Sequence, residues 1–83
     1  MTSSNPVRAD LLTMLAAVGL EPSTGKAALD RSFEELDLDS LARVELASRI
    51  KGRYGIDIED EITPQRTPAE VEELIGARLA TAA

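Results

Sequence analysis

Apolar residues recur at helical spacing near the start of the chain and again near its end. In the first stretch they form one stripe, made of Val7, Leu11, Leu12, Met14, Leu15 and Val18. Asn5 followed by Pro6 is a favourable helix start, because Asn caps free amides and Pro suits the first turn. Gly19 supplies a stop signal. The pattern therefore predicts a first helix from about Pro6 to Val18.

The last stretch has the clearest start signal of the chain. Thr67, Pro68 and Glu70 form a capping box with Pro at the first helical position. The helix continues through apolar residues at helical spacing, namely Val71, Leu74, Ile75 and Leu79. We expect the final residues, from Thr81 to Ala83, to fray.

A second helix is predicted in the middle of the chain, opening at Asp39 or Ser40, either of which is a good N-cap. Gly55 supplies its stop signal. The positions that best predict a core face are spaced four residues apart, at Leu46, Ile50 and Tyr54. Leu41 and Val44 lie well round the helix from that row, so they are predicted either to stay partly exposed or to pack into the core.

Two connections join these helices. The first, from Leu20 to about Leu38, is long, and loops of this length usually carry function or pack against the core. Its predicted anchors are the apolar residues Leu29, Phe33, Leu36 and Leu38. A short helical turn from Arg31 to Glu35 fits within it. In the second connection, Ile56 and Ile58 are predicted to anchor an extended linker, and the range from Glu59 to Gln65 to hold one short helix.

These elements predict an all-α fold: a small four-helix bundle, with three main helices and one short helix, and a long loop between the first and second helices. The 83 residues are interpreted as a single domain, 1–83, with a core from about 6 to 80 and loose termini. The composition favours helices because it is 43% hydrophobic but only 2% aromatic, whereas strands favour aromatic and β-branched residues.

Charge and residue types exclude several classes of function. The formal net charge of -6 disfavours nucleic acid and fits basic protein partners or simple solubility. The chain has no Cys and no His, which rules out disulfides, Cys/His zinc sites and Ser–His nucleophile pairs. No apolar run approaches the roughly 20 residues of a membrane span. The sequence predicts a cytoplasmic monomer that binds neither nucleic acid nor membrane.

One short segment remains as a candidate for chemistry. The tripeptide of Asp39, Ser40 and Leu41 closes the long loop and opens the second helix. Taken alone it indicates only ordinary helix capping. The acidic run from Asp57 to Glu61 is interpreted as solvated surface, because it lacks the glycine and the spacing of a calcium-binding loop.

From about Val7 to Leu79 the chain resembles the acyl carrier proteins of fatty acid and polyketide synthesis. The best-matched stretches are Ser32 to Leu36, Leu38 to Leu41, Val44 to Leu46, Arg53 to Ile56 and Arg66 to Pro68. The resemblance implies that Ser40 carries a 4'-phosphopantetheine arm, which a phosphopantetheinyl transferase transfers from coenzyme A. It implies a non-catalytic carrier, in which the arm supplies the thiol and the protein supplies attachment, delivery and recognition.

The family pattern also implies a surface for partner enzymes such as an acyltransferase or a ketosynthase. The residues of this surface would be Asp37, Asp39, Leu41, Val44 and Glu45. By the same pattern the core would contain Phe33, Leu46, Ile50 and Ile58.

Departures from the family pattern favour polyketide biosynthesis over general fatty acid synthesis. Asp37 stands where Gly is familiar, which leaves the geometry of the turn open. The acidic residue that often follows the Ser-Leu pair is Ala42, and Arg43 comes next. The far half of the second helix is basic, where fatty acid carriers are usually acidic, through Arg49, Lys51 and Arg53. The stretch from Arg66 to Pro68 points the same way.

Three other interpretations stay open at this point. Two of them keep the arm at Ser40 and change the cargo, to that of a primary fatty acid carrier or of an aminoacyl or peptidyl carrier. The third is a helical adaptor in which Ser40 is a plain N-cap. An enzyme is the class that the residue types favour least, because nothing near Ser40 can activate its hydroxyl.

Overall fold

The computed structural model describes residues 6–20 and 27–82, and its regular elements are helical. α1 spans Pro6–Ala17, α2 spans Ser40–Tyr54 and α3 spans Pro68–Ala82, with a 3-10 turn at Glu59–Glu61 between α2 and α3. No strand occurs in these two described ranges, and none of their helices is long and apolar enough to cross a membrane. The predicted all-α arrangement of three main helices and one short element is confirmed.

One apolar core joins the three helices to the segments between them. Its fully buried members include Leu11, Leu15, Phe33, Leu46, Ile50, Ile58, Val71 and Ile75. Each such side chain contributes roughly 1.5–3 kcal/mol by leaving water, which makes this core the main source of stability. The four core residues expected from the family pattern are all among them, and Tyr54, the last of the predicted α2 row, is half-buried.

The helix ends follow the predicted signals where the structure describes them. Gly19 has a φ of 120° just beyond α1, and Gly55 has a φ of 72° just beyond α2. The amide of Thr67 donates to Glu70 Oε1 (2.9 Å) and the amide of Glu70 donates to Thr67 Oγ1 (3.2 Å), which is the predicted capping box. The predicted Asn5 cap and the turn formers from 21 to 25 lie outside the described residues.

Both outer helices differ from their predicted ends. α1 stops at Ala17, before the predicted Val18, because the amide of Leu20 donates to the Leu15 carbonyl oxygen (2.9 Å) and closes the helix there. α3 extends to Ala82 and so includes two of the three residues predicted to fray, and Ala83 lies outside the described residues. Leu79, the last residue of the predicted α3 stripe, is exposed.

The end of the long loop contains two successive turns. Residues 27–30 form a 3-10 turn. Ser32 and Glu35 then exchange two backbone-to-side-chain hydrogen bonds (3.0 and 3.1 Å), and the amide of Leu36 donates to the Ser32 carbonyl oxygen (3.0 Å). The predicted helical turn therefore begins at Ser32 instead of Arg31, because Ser32 is the residue whose side chain caps it.

Asp10 ties α1 to the end of α2. Its Oδ2 accepts hydrogen bonds from the Tyr54 hydroxyl (2.7 Å) and from Arg53 Nε (2.9 Å). The hydrogen bond from Tyr54, followed by that from Arg53, holds the pKa of Asp10 below its ordinary value of 3.8. Burial, followed by the contact with Asp10, raises the pKa of Tyr54. The hydrogen bond to Asp10 raises the pKa of Arg53.

We expect Asp10→Asn to lower the free energy of unfolding at neutral pH and to lose this effect in acid. The pKa of Asp10 is lower in the folded chain than in the unfolded chain, so its carboxylate stabilises the fold above about pH 4. That contribution disappears as the pH falls through the folded pKa. Urea unfolding of both proteins from about pH 7 to about pH 2 measures the difference.

The matched control for this change is Asp60→Asn. Asp60 is exposed, and within the described ranges the structure gives it no ion pair. Its substitution should leave the wild-type pH dependence of stability in place. A difference between wild type and Asp10→Asn that stays constant across the pH range would contradict the prediction.

Candidate functional site

Backbone hydrogen bonds hold the loop before α2 against the segment before α3. The amide of Phe33 donates to the carbonyl oxygen of Arg66 (2.9 Å), and the amide of Glu34 donates to that of Pro64 (2.9 Å). The amide of Leu38 donates back to the Phe33 carbonyl oxygen (3.0 Å). Because the Phe33 ring is fully buried, this end of the loop is fixed to the core.

Asp37 has a φ of 61°, in the left-handed region that most residues with a side chain avoid. Gly enters this region at no steric cost, and Asp and Asn tolerate it better than other residues. The turn before Ser40 therefore requires the conformation for which Gly is familiar in the family pattern, and Asp37 adopts it. The sequence left the geometry of this turn open because Gly is missing. In the structure the turn has an exposed carboxylate at its tip.

Asp39 is the N-cap of α2. Asp39 Oδ1 accepts a hydrogen bond from the Ala42 amide (2.9 Å), and its own backbone is extended. Ser40 is the first helical residue and is exposed. The interpretation of Ser40 as a plain N-cap is therefore wrong, because the residue before it makes the capping hydrogen bond. In the part of the chain described, the Ser40 hydroxyl has no hydrogen-bond partner.

Two amides at the start of α2 are left without an acceptor in the described ranges. The first four amides of a helix have no intrahelical partner. Asp39 accepts from two of them, through its side chain from Ala42 and through its carbonyl oxygen from Arg43 (2.9 Å). The amides of Ser40 and Leu41 remain, at the positive end of the helix dipole, where anions are stabilised.

Leu41 and Val44 are exposed on α2, with 74% and 46% of each residue's full surface accessible to water. Residues three and four apart share one side of a helix, so Leu41, Val44 and Glu45 lie together. The alternative that these two apolar residues pack into the core is wrong. Asp37 and Asp39 are exposed at the near end of the same helix, so all five residues of the predicted partner surface are accessible.

An open groove of about 340 Å³ lies beside the start of α2. It is lined by Glu34, Asp37, Leu38, Asp39, Arg43 and Pro64. Arg43 reaches back along the helix, and its Nη1 donates to the Leu38 carbonyl oxygen (3.0 Å). The groove therefore has one cationic side chain among three carboxylates, and one of its lining residues, Asp39, immediately precedes the exposed Ser40.

The basic half of α2 is paired with carboxylates of the same chain. Arg49 pairs with Glu45 (3.3 Å), Lys51 with Asp57 (3.8 Å) and Arg53 with Asp10 (2.9 Å). These pairs are at the surface, where each contributes little to stability, but they reduce the positive potential of this half. The charge of the basic far half is therefore largely balanced within the chain.

The residues around Ser40 fit the attachment of a phosphorylated group. The hydroxyl is exposed, free helix amides lie beside the place where a phosphodiester would be, and Arg43 supplies a cation. Within the described ranges no group of three or more His, Cys, Asp or Glu could hold a metal ion.

The chain was also compared with models of known protein families, and one of them matches. The family model of the phosphopantetheine attachment site matches residues 9–75. The chain belongs to this family. The matched range begins in α1, ends in α3 and contains Ser40 together with the loop and groove beside it.

Two similar proteins of this family are polyketide synthase acyl carrier proteins of Streptomyces species. The actinorhodin polyketide synthase acyl carrier protein of Streptomyces coelicolor is 45% identical over 56 residues, which cover 66% of this chain and 65% of that protein. The granaticin polyketide synthase acyl carrier protein of Streptomyces violaceoruber is 43% identical over 56 residues, covering 66% of each chain.

A further relative is named only as an acyl carrier protein. It comes from Rhodococcus erythropolis and is 43% identical over 44 residues, which cover 52% of this chain and 46% of that protein. The aligned stretches thus span less than two thirds of the actinorhodin relative and less than half of the Rhodococcus relative. No solved protein structure gives a significant match.

Sequence reasoning did not predict the contact between Arg43 and the Leu38 carbonyl oxygen. It identified Arg43 only as a departure from the family pattern. A signal was present, since a long side chain on a helix points toward the N-terminus and so toward the preceding loop. The direction alone names no acceptor, because the path of the loop decides which carbonyl group lies within reach.

Proposed function

We propose that this chain is an acyl carrier protein of polyketide biosynthesis, with its phosphopantetheine arm on Ser40. The observation that carries the proposal is an exposed serine at the first residue of α2, inside the range that matches the phosphopantetheine attachment family. Two of its relatives bear the names of polyketide synthase acyl carrier proteins, which supports polyketide cargo over general fatty acid cargo.

The chain contributes a positioned acceptor to the attachment reaction. A phosphopantetheinyl transferase supplies the base that removes the Ser40 proton. The Ser40 oxygen then attacks the pantetheine-side phosphorus of the coenzyme A pyrophosphate, which forms the phosphodiester and releases adenosine 3',5'-bisphosphate. Asp39 keeps the start of α2 ordered through its bond to the Ala42 amide, so the hydroxyl is presented on a rigid element. The bound arm supplies the thiol that holds acyl groups as thioesters.

Delivery depends on a surface that partner enzymes recognise. We assign this role to the exposed residues around Ser40, namely Asp37, Asp39, Leu41, Val44 and Glu45. Exposed apolar side chains beside carboxylates suit a partner with an apolar pocket rimmed by Lys or Arg. The partners of this class are the transferase, an acyltransferase and a ketosynthase.

Intact-mass measurement tests the proposed function. Treatment with coenzyme A and a broad-specificity phosphopantetheinyl transferase should add the mass of one phosphopantetheine. Incubation with malonyl-coenzyme A and an acyltransferase should then add one malonyl group. An unchanged mass after the first step would refute the carrier function. Loading that occurs only with an amino-acid adenylating enzyme would replace polyketide cargo with aminoacyl cargo.

The same assay tests the partner surface when it follows the rate of malonyl transfer. Leu41→Asp should slow transfer by about tenfold or more, since losing roughly 1.4 kcal/mol of docking free energy has that effect. Leu79→Asp is the control, because Leu79 is also an exposed apolar residue of a helix but lies on α3. Equal rates for the two variants would remove Leu41 from the partner surface.

A further inference from the structure

Arg43 differs from the other basic residues of α2. Those residues form ion pairs with carboxylates of the same chain, namely Arg49, Lys51 and Arg53. In the described part of the chain Arg43 has no ion pair, and its recorded contact is the hydrogen bond from Nη1 to the Leu38 carbonyl oxygen. A guanidinium carries five N–H donors, so several remain available after this bond.

Arg43 and Ser40 lie three residues apart, on the same side of α2. Residues three apart on a helix have Cβ atoms about 5–6 Å apart, and the Arg43 side chain turns toward the start of the helix to reach Leu38. Arg43 also lines the groove that adjoins this end of α2. A group attached to the Ser40 oxygen therefore begins within reach of the guanidinium.

The charges around the groove indicate which kind of group Arg43 would bind. Glu34, Asp37 and Asp39 line the groove with carboxylates, which repel an anion placed at its edge. The phosphodiester of a phosphopantetheine arm is such an anion. A guanidinium fork matches phosphate oxygens with two parallel N–H donors, which a Lys ammonium does not. Arg43 is the groove residue able to offset the repulsion.

We propose that Arg43 is a positioning residue that binds the phosphodiester on Ser40 and directs the start of the arm along this groove. The proposal rests on the proposed attachment at Ser40. In the absence of the arm the bond to Leu38 holds the guanidinium ready, so little side-chain freedom is lost when the phosphodiester is bound. Arg43 takes no part in forming the bond.

Nuclear magnetic resonance of the wild-type protein before and after arm attachment gives the first test. The Nε–Hε signal of Arg43 should move downfield on attachment, because that edge of the fork gains a phosphate acceptor. The Nε–Hε signal of Arg49, which is paired with Glu45, should keep its position. Intact mass recorded on the same sample shows whether the arm is present, so failure of attachment and failure of the Arg43 contact are separate results.

Substitution gives the second test, read from the phosphorus-31 signal of the arm-bearing protein. R43Q should move this signal toward that of phosphopantetheine on an unfolded peptide, and R43K should move it less. R49Q is the matched control and should leave it unchanged. Salt at about 1 M should reduce the difference between wild type and R43Q. An arm that attaches while the Arg43 signal stays fixed, or a phosphorus signal that R43Q leaves unchanged, overturns the proposal.

Discussion

Ser40→Ala should abolish phosphopantetheine attachment completely while leaving the fold intact. The variant lacks the oxygen that forms the phosphodiester, and no neighbouring hydroxyl occupies the same place on α2. Because Ser40 is exposed, follows the N-cap and has no side-chain hydrogen bond within the described ranges, the free energy of unfolding should change by less than about 0.5 kcal/mol. Intact mass and urea unfolding measure the two effects.

Asp39→Ala is the control for this prediction, because it should lower the stability of the fold and still allow attachment of the arm. It removes the cap on the Ala42 amide, which should cost about 0.5–2 kcal/mol of stability. It keeps the Ser40 hydroxyl, so attachment still reaches one arm per chain given enough time. Attachment to Ser40→Ala would place the arm on another residue. A stability loss in Ser40→Ala equal to that in Asp39→Ala would mean that Ser40 has a structural role.

The sequence alone did not show that Asp39 caps α2 and that Ser40 does not. Asp39 and Ser40 are both good N-caps, and either choice shifts the start of α2 by only one residue. The choice depends on the backbone before the helix, where Asp37 has positive φ and Asp39 is extended. The path of that turn is set by hydrogen bonds to residues far along the chain, which no local pattern encodes.

Elements with strong local signals were predicted well. The capping box at Thr67 and the stop at Gly55 each depend on a few adjacent residues, and both occur as expected. The exposure of Leu41 was left open because helical phase gives the direction of a side chain but not which directions neighbours cover. The packing of α2 against α1 and the 3-10 turn at Glu59–Glu61 settles that question.

The ion pairs of α2 could also be predicted only in part from the sequence. Sequence spacing accounts for the pair between Arg49 and Glu45, which are four residues apart on one helix. It does not account for the pair between Arg53 and Asp10, which are separated by 43 positions and meet only because α1 packs against α2. Counting the basic residues along α2 therefore overestimated how positive its surface is.

The largest loss of stability is expected from Phe33→Ala. Its ring is fully buried, and its backbone bonds both to Arg66 and to Leu38, so one residue fixes the loop to the core on two sides. Truncating a buried Phe to Ala typically costs about 3–5 kcal/mol, through lost burial and the cavity that remains. At roughly 0.05–0.15 kcal/mol per residue, a domain of this size has about 4–12 kcal/mol of stability in total, so the substitution would remove a large fraction of it.

Urea unfolding of Phe33→Ala and Leu41→Ala provides the matched comparison, because both substitutions remove a large apolar side chain within eight positions of Ser40. Leu41→Ala should change the free energy of unfolding by less than about 0.5 kcal/mol, since its side chain is already in water. Phe33→Leu, which keeps most of the apolar volume, should fall between the two and remain folded if Phe33→Ala does not. Similar losses for Phe33→Ala and Leu41→Ala would contradict the assignment of Phe33 as the anchor of the loop. An order of Phe33→Ala, Phe33→Leu and Leu41→Ala, from least to most stable, would show that Phe33 anchors the loop before Ser40 and that Leu41 contributes little to the fold.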